Sequence, residues 1–580
     1  MNKIIKSLTI LAAICSTVAS CNLLDLTPVD RLTPDNYFKN ENELRLYSDR
    51  FYNNVLPGGS NLFKEIGDNT IWTPLADEVS GQRTVPETGS ECAWNWTALR
   101  QINFFLEHLD NCDDQKAVAK YRGVAKFFRA YFYFEKVKRF GDCPWIDHVP
   151  TTDDADLYKA RDSREVIMTH ILKDLDDAIE DLKKAKVKKD VYRVNATTVQ
   201  ALKSRVTLFE GTFRKYHGLA DYEKYLTACA ETSEALIKGG SGYSLMSGSG
   251  CYRDMFIAPN ACKEYIFARD YDSKIPLDNT LYNHINTAGQ GRVGLTRKFI
   301  NSYLNRDGSR FTDNPAYKTM EFKDEIKNRD PRLTQTIRTD VGLNFANCIT
   351  GYQVKKFIAD DALNLASSAH NDLPLIRLAE VYLNYAEAKA ELGTLTQEDL
   401  DISINKLRER VGMPFLDLTA ANATPDPYLS DAKTGYVNVS GPNKGVILEI
   451  RRERNIEMIL ECQLRYFDLI RWKEGQSVTQ DFEGIYIPAS ALNEAYDVNN
   501  DGLADICVYN TSSQPNKGAV IYIQVSNDGI KLNGADGKSG NMVIFDYLNR
   551  KWDENKDYYY PIPREDIMLT NGAIKQNPGW

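Results

Sequence analysis

Apolar residues recur at intervals of three and four along one segment after another, and this periodicity constrains the fold class more than any other feature of the chain. In residues 41–56, Leu44, Tyr47, Phe51 and Val55 share one helical face, and Pro57-Gly58-Gly59 closes the segment. Residues 95–140 predict two longer helices split near Asp113-Asp114, the second carrying Tyr121, Ala125, Phe128, Phe132 and Val137 before Gly141 stops it. Ser163 and Glu165 mark the start of a helix over 163–186, with Val166, Ile167, Ile171, Leu175 and Ile179 on its apolar face. Further helices fit 196–216, 220–238, 371–392, 399–411 and 446–472. A mainly α fold follows.

Several of these helices come in adjacent pairs, and Ala379, Tyr382, Asn384, Ala386 and Gly393 resemble the pattern of a tetratricopeptide helix. Such pairs bury their apolar faces only by stacking on neighbours, which gives a helical repeat scaffold. Between the helices lie long stretches rich in Gly, Asn, Asp, Thr and Ser, at 57–92, 239–293, 305–320, 334–372, 412–445 and 474–560. Loops of this length in a compact protein are usually functional. Short strands at Glu264–Ala268 and Ala519–Gln524 fit small β-hairpin insertions.

The first 21 residues read as a targeting segment. Lys3 and Lys6 precede an apolar run from Leu8 to Ile14 that is too short to cross a bilayer, and Val18-Ala19-Ser20-Cys21 resembles a bacterial lipobox. Residues 1–20 are thus expected to be a lipoprotein signal peptide. Cys21 becomes the acylated first residue, and each buried CH₂ of its chains contributes about 0.8 kcal/mol to anchoring. Asn22 carries no inner-membrane retention signal, which leaves the outer membrane as the expected location. The formal charge of −9 and an expected absence of any basic cluster argue against nucleic acid, since neutralising phosphates needs concentrated Lys and Arg. Of 11 cysteines, Cys15 leaves with the signal and Cys21 is acylated; the remaining nine are scattered without a CxxC pair. That spacing suits neither a disulfide framework nor a zinc site, with a Cys251–Cys262 pair left open.

Motifs along the chain fall in the order of one family. Tyr121-Arg122-Gly123-Val124-Ala125-Lys126-Phe127-Phe128-Arg129-Ala130 runs on to Phe140-Gly141-Asp142-Cys143-Pro144; Asn328-Arg329-Asp330-Pro331-Arg332-Leu333 follows, then Leu375 to Ala388. Glu453-Arg454, Glu457, Glu461, Arg465-Tyr466-Phe467-Asp468 and Arg471-Trp472 come next, and the chain ends Gln576-Asn577-Pro578-Gly579-Trp580. Together these resemble the SusD/RagB family of outer-membrane glycan-binding lipoproteins, with Val124 replacing the family's usual glutamate. The resemblance implies one SusD-like domain over 21–580, with an N-terminal part to about 220 and a C-terminal part from about 260. It also implies a surface lipoprotein facing the cell exterior that binds an oligosaccharide. Such a protein acts as the lid of a TonB-dependent, SusC-like transporter for nutrient uptake in polysaccharide utilisation. Two alternatives stand beside it: a peptide or other non-sugar ligand in the same complex, and a helical-repeat scaffold for protein partners. Glu453, Glu457 and Glu461, spaced i, i+4, i+8 near Arg454 and Arg465, read as ion pairs that hold helices together.

Sugar binding asks for an aromatic platform flanked by carboxylate, amide and guanidinium groups. The 32 Tyr, 23 Phe and 7 Trp supply the rings, although most belong to the core of a helical protein. Residues 71–101 offer the mixture in Asp77, Arg83, Trp94, Trp96 and Gln101. The resemblance implies a binding tryptophan in this region, a position for which Trp94 and Trp96 compete, with Trp96 also readable as a core residue. Tyr282, Asn283 and Tyr317 are further loop candidates. Asp497, Asn499, Asp501 and Asp505 follow the DxNxDGxxD spacing of a calcium loop, without the glutamate at its twelfth position, where Val508 stands. The plainer reading is an Asn/Asp-Gly turn without metal. No cofactor is required, and no GxSxG, HExxH or GxxxxGKS motif is present, so an enzyme is not expected.

Overall fold

The computed structural model describes residues 37–272, 281–286, 291–339, 343–359, 369–519, 521–525 and 529–580. The signal segment, Cys21 and the side chain of Tyr282 lie outside the described residues.

Among the described residues nine helices of eight residues or more form the frame: α1 (Glu41–Asn54), α2 (Thr97–His108), α3 (Gln115–Phe140), α4 (Arg164–Lys184), α5 (Ala196–His217), α6 (Tyr222–Lys238), α7 (Leu378–Leu392), α8 (Lys444–Glu457) and α9 (Leu464–Arg471). Short polar side chains start them, as the sequence signals require. Asn40 accepts the Glu43 amide at 3.1 Å, Asp114 accepts those of Lys116 and Ala117 at 2.9 and 3.1 Å, and Asn195 accepts that of Thr197 at 3.1 Å. Helix α3 packs on α4, α5 on α6, α6 on α7 and α7 on α8, a run of stacked helices as in repeat scaffolds. A Cβ on Gly211 of α5 would stand 2.7 Å from the Leu226 side chain of α6, and one on Gly123 of α3 2.8 Å from Leu182 of α4. Glycine therefore sets how closely both pairs approach.

The sheets are small. They pair β1 (Thr70–Thr73) with β3 (Gly291–Leu295), and β2 (Tyr265–Arg269) with β4 (Leu373–Arg377). A third sheet has the order β5 (Phe482–Ile487), β9 (Gly540–Ile544), β8 (Ile530–Leu532), and a fourth joins β6 (Ile506–Tyr509) to β7 (Ile521–Gln524). The two strands expected as hairpins are not hairpins: β2 pairs antiparallel with the distant β4, and β7 runs parallel to β6. The helix expected over 399–411 is split at Ile402-Ser403 into Gln397–Asp401 and Ile404–Arg410, and two further expected helices change. Residues 373–377 form β4 rather than the first turn of a helix over 371–392, and the segment 446–472 is broken between Glu457 and Leu464.

Both changes serve one buried ion lattice. At the end of β4 the Arg377 guanidinium reaches Glu264, Glu457 and Glu461 at 2.7–2.8 Å. Arg410 bonds Glu457 at 2.6 Å, and Arg332 bonds Asp330, Glu453 and Glu457 at 2.6, 3.0 and 3.2 Å. Arg408 adds a 2.7 Å bond to Glu453, and Lys356 a 2.6 Å bond to Glu461. Every one of these side chains is buried. Burial alone raises a carboxyl pKa, but the guanidiniums of Arg410, Arg377 and Arg332 outweigh it and hold Glu457 far below the usual range. Glu453 and Glu461 are lowered in the same way, against burial, by Arg332 and Arg408 and by Arg377 and Lys356.

Removing one partner from such a lattice strands a buried charge, which costs about 3–5 kcal/mol. Glu457→Gln is expected to lower the unfolding free energy by that amount in a urea titration. Because the folded carboxyls have depressed pKa values, their stabilisation is complete above the unfolded glutamate value of about 4.3 and is lost as pH falls below it. The melting temperature is therefore expected to hold steady above about pH 5 and to drop steeply below about pH 4; a flat acid limb contradicts the lattice as described.

Candidate functional site

Two cavities of about 580 Å³ each share Asn61, Ala93, Arg139, Gln463 and Phe467, and so form one open groove. The last turns of α3 build its first half. Tyr131, Glu135 and Arg139 follow one another at i, i+4 and i+8, which places them along one helix face. Glu135 is paired with Arg139 and, at 2.6 Å, with Lys138; these cations overcome the effect of burial and bring its carboxyl down to about 2. Burial lowers the neighbouring Lys136 to about 7, and its ammonium donates to the carbonyls of Ala93 and, at 2.8 Å, Asn95. This holds residues 93–95 against α3 as the groove wall.

The floor is the turn that separates α8 from α9. Leu460, Cys462 and Gln463 all take left-handed conformations, with φ of 62°, 50° and 56°. Each such non-glycine residue costs about 1–3 kcal/mol and persists only where its surroundings over-determine it. Here the Leu460 amide donates to the Glu65 carboxylate at 2.7 Å, the Cys462 amide to the Leu62 carbonyl at 2.8 Å, and Glu461 is drawn into the ion lattice. Gln463 is thereby turned into the groove, where its amide donates to Asn61 at 3.3 Å across the junction of the two cavities.

The second half carries Lys64, Asp77, Glu78, Arg83, Glu91, Tyr466 and Tyr560. Two residues singled out in the sequence meet here. Asp77 is exposed at the start of a short helix, Asp77–Ser80, and Arg83 lines the same cavity. The Arg83 guanidinium also donates to the carboxylate and carbonyl of Asp557 at 2.9 and 2.8 Å and lies 5.1 and 5.3 Å from the Tyr560 and Trp580 ring centres. It thus clamps the C-terminal segment as well as facing the groove. Gln101 lines neither cavity, although it accepts from Asn54, a residue of the first, at 2.8 Å.

The remaining aromatic candidates sit elsewhere. Trp94 is 1% exposed, with its ring edge to face against Trp96 and Phe140 at 5.1 and 4.7 Å, so it is a core residue and not a displayed platform. Trp96 is half-buried on Phe132 with the Lys136 ammonium 5.2 Å from its centre, behind the groove wall. Tyr317 packs against Phe311 and Tyr428, and Asn283 lies in the helix Leu281–Asn286; neither lines the groove. Asn61, Lys64, Tyr131 and Gln463 were not singled out in the sequence. The i, i+4, i+8 run of Tyr131, Glu135 and Arg139 inside an apolar helix is a signal that was there to find; Gln463 has none.

In the acidic loop, Asp497 accepts the Gly502 amide at 2.8 Å, Asp501 that of Leu503 at 2.9 Å and Asp505 that of Val498 at 2.9 Å. Asn499 donates to Asp501 at 3.1 Å. Burial raises the Asp505 carboxyl, and Asp501 and Asp497 raise it further. Cys251 and Cys262 are both free thiols.

Known proteins share this fold. The model of the SusD family matches residues 263–348 and 344–580, and one described as starch-binding and associating with the outer membrane matches 61–208. SusD-like protein P2 of Formosa agariphila is 23% identical over 80% of this chain and 90% of its own. Starch-binding protein SusD of Bacteroides thetaiotaomicron is 24% identical over 70% of this chain and 83% of its own. Among solved structures, a SusD-like protein of Bacteroides fragilis superposes with a TM-score of 0.68 at 22% identity, covering 96% of this chain and 100% of that one. A SusD-like carbohydrate-binding protein of the same species gives 0.67 at 20% identity, covering 92% and 98%. With its C-terminal half matched to the last residue and its frame shared over nearly the whole length, the chain belongs to the SusD family.

Proposed function

We propose that the protein is held at the outer membrane by acyl chains on Cys21, binds an oligosaccharide in the groove, and closes as a lid over a SusC-like, TonB-dependent transporter. The observation that carries the binding reading is the groove itself. It places the amides of Asn61 and Gln463 and the charges of Lys64 and Asp77 along one open channel, backed by the buried rings of Tyr131 and Tyr466. Sugars present rims of hydroxyl groups, and these amide and charged groups supply donors and acceptors for them. An open channel also suits a chain-like ligand better than a closed pocket does. Starch binding is named for two of the matched descriptions, which supports a carbohydrate over a peptide. Binding and delivery need no bond to be made or broken.

Calcium seated on Asp497, Asn499, Asp501 and Asp505 would pin the loop between β5 and β6 and relieve the repulsion among its carboxylates. Millimolar calcium is expected to raise the melting temperature of the chelator-treated protein, with the rise lost in Asp501→Ala; no shift in either removes the ion.

Hydrogen bonds to a charged group contribute about 1.5–3 kcal/mol and neutral ones about 1 kcal/mol. Asp77→Ala is therefore expected to weaken glycan binding by roughly tenfold or more, and Gln463→Ala by roughly fivefold, in calorimetry against a glycan panel, both with unchanged melting. Trp94→Ala is expected to act on stability instead, by about 3–5 kcal/mol. Wild-type affinity in both groove variants contradicts the reading, and retention of peptides with no glycan bound turns it to a non-sugar ligand.

A further inference from the structure

Between Leu182 and Asp190 the chain places five lysines in seven residues, Lys183, Lys184, Lys186, Lys188 and Lys189, in a protein whose formal charge is −9. This run is a basic cluster, contrary to the expectation of none, and the net charge conceals it. Lys183 and Lys184 occupy the last turn of α4, Lys186 takes a left-handed conformation just past its end with φ of 54°, and Lys188 and Lys189 follow. All five are exposed, and none has an ion-pair partner among the described residues. The negative end of the α4 dipole accounts for Lys183 and Lys184. It does not account for the other three.

Lys186, Lys188 and Lys189 rim an open hollow of about 740 Å³ together with Lys116 and Lys120 from the start of α3. The acids of the hollow are already committed. Glu41 is paired with Lys120 at 2.8 Å, Asp49 with Arg45 and Arg193, Asp114 caps α3, and Asp190 accepts the Tyr192 amide at 2.8 Å. A surplus of positive charge is left facing solvent around an apolar floor of Val124 and Val187.

Position points to what the charge meets. The hollow begins at Glu41, four residues beyond Tyr37, the first residue described. Fifteen residues lie between Cys21 and Tyr37, a length of chain that reaches at most roughly 55 Å. The groove is a separate opening further along the same helix: the hollow takes residues Lys116 to Val124 of α3 and the groove Tyr131 to Arg139, the nearest of them roughly 10 Å apart at 1.5 Å per residue.

We propose that the lysine hollow is a docking surface for the phosphate-bearing lipid headgroups of the membrane that holds the anchor, a reading that rests on the acylation of Cys21 proposed above. Lysines attract an anionic surface within about one Debye length, roughly 10 Å at 0.1 M salt. A tether alone lets the body pivot freely. A second, electrostatic contact fixes one face to the membrane, and because the tether raises the local concentration, that contact need not be strong by itself.

The test uses the full chain carrying Cys21→Ser, so that no acyl chain contributes, and sedimentation with vesicles of phosphatidylcholine alone or mixed with phosphatidylglycerol. Binding is expected only to the mixed vesicles and is expected to vanish at high salt. The variant carrying Lys183→Gln, Lys184→Gln, Lys186→Gln, Lys188→Gln and Lys189→Gln should partition at least tenfold less, with its melting temperature and its glycan affinity unchanged. Equal partition of variant and parent, or no partition of either, overturns the proposal. So does equal binding of both to inorganic phosphate or a soluble polyanion with none to vesicles. Failure of the anchor reading shows separately, as an unmodified Cys21 in the mass of the protein from its own membrane, and failure of the groove reading shows as lost glycan binding with vesicle binding intact.

Discussion

Glu457 accepts hydrogen bonds from three arginines that arrive from three distant parts of the chain, Arg332, Arg377 and Arg410. No local interaction brings them there. A carboxylate buried without partners would lose many kcal/mol of hydration, so α8 can lie in the core only with the segments carrying the arginines gathered around it. The lattice is therefore a condition of the fold as well as a contribution to its stability. It joins β4, the helix following Pro331, the helix ending at Arg410 and the end of α8.

From the same lattice follows the shape of the groove. Glu461 lies four residues beyond Glu457, and on an unbroken helix it would sit one turn above it. Instead its carboxylate is claimed by Arg377 and Lys356, the Leu460 amide by Glu65 and the Cys462 amide by Leu62. The helix is interrupted, three residues are forced into left-handed conformations, and Gln463 faces outward beside Asn61. Strain at a ligand-facing turn is a common device, since the surroundings that enforce it also keep the turn rigid.

Much of the frame could be read in advance from periodicity and caps. The face of Leu44, Tyr47 and Phe51, the break at Asp114 and the stop at Gly141 all appear where their patterns place them. The break after Glu457 could not be read, because Ile456 to Trp472 keeps helical spacing without Gly or Pro and the interruption is imposed by Glu65 and Arg377, far off in sequence. In residues 373–377, Pro374 was a local signal against helix that the periodicity of the following residues overrode, while their partner strand lies more than a hundred residues earlier. At the site, Asp77 and Arg83 were recognisable as polar groups in a polar loop. Residue type could not separate Trp94 from a displayed platform, since burial is decided by what Phe140 and Trp96 do around it.

The chain thus places an oligosaccharide-sized groove at one end of α3 and a lysine-rich hollow at the other, with the ion lattice behind the groove floor. The central claim is that a glycan is held on the strained turn and the residues facing it. Hydrogen–deuterium exchange with and without a bound oligosaccharide tests it most directly. Slower exchange is expected in 458–463, 61–66 and 77–83 when ligand is present, with 311–320 and 281–286 unaffected. Protection confined to those last two segments, with the turn unchanged, would contradict the account.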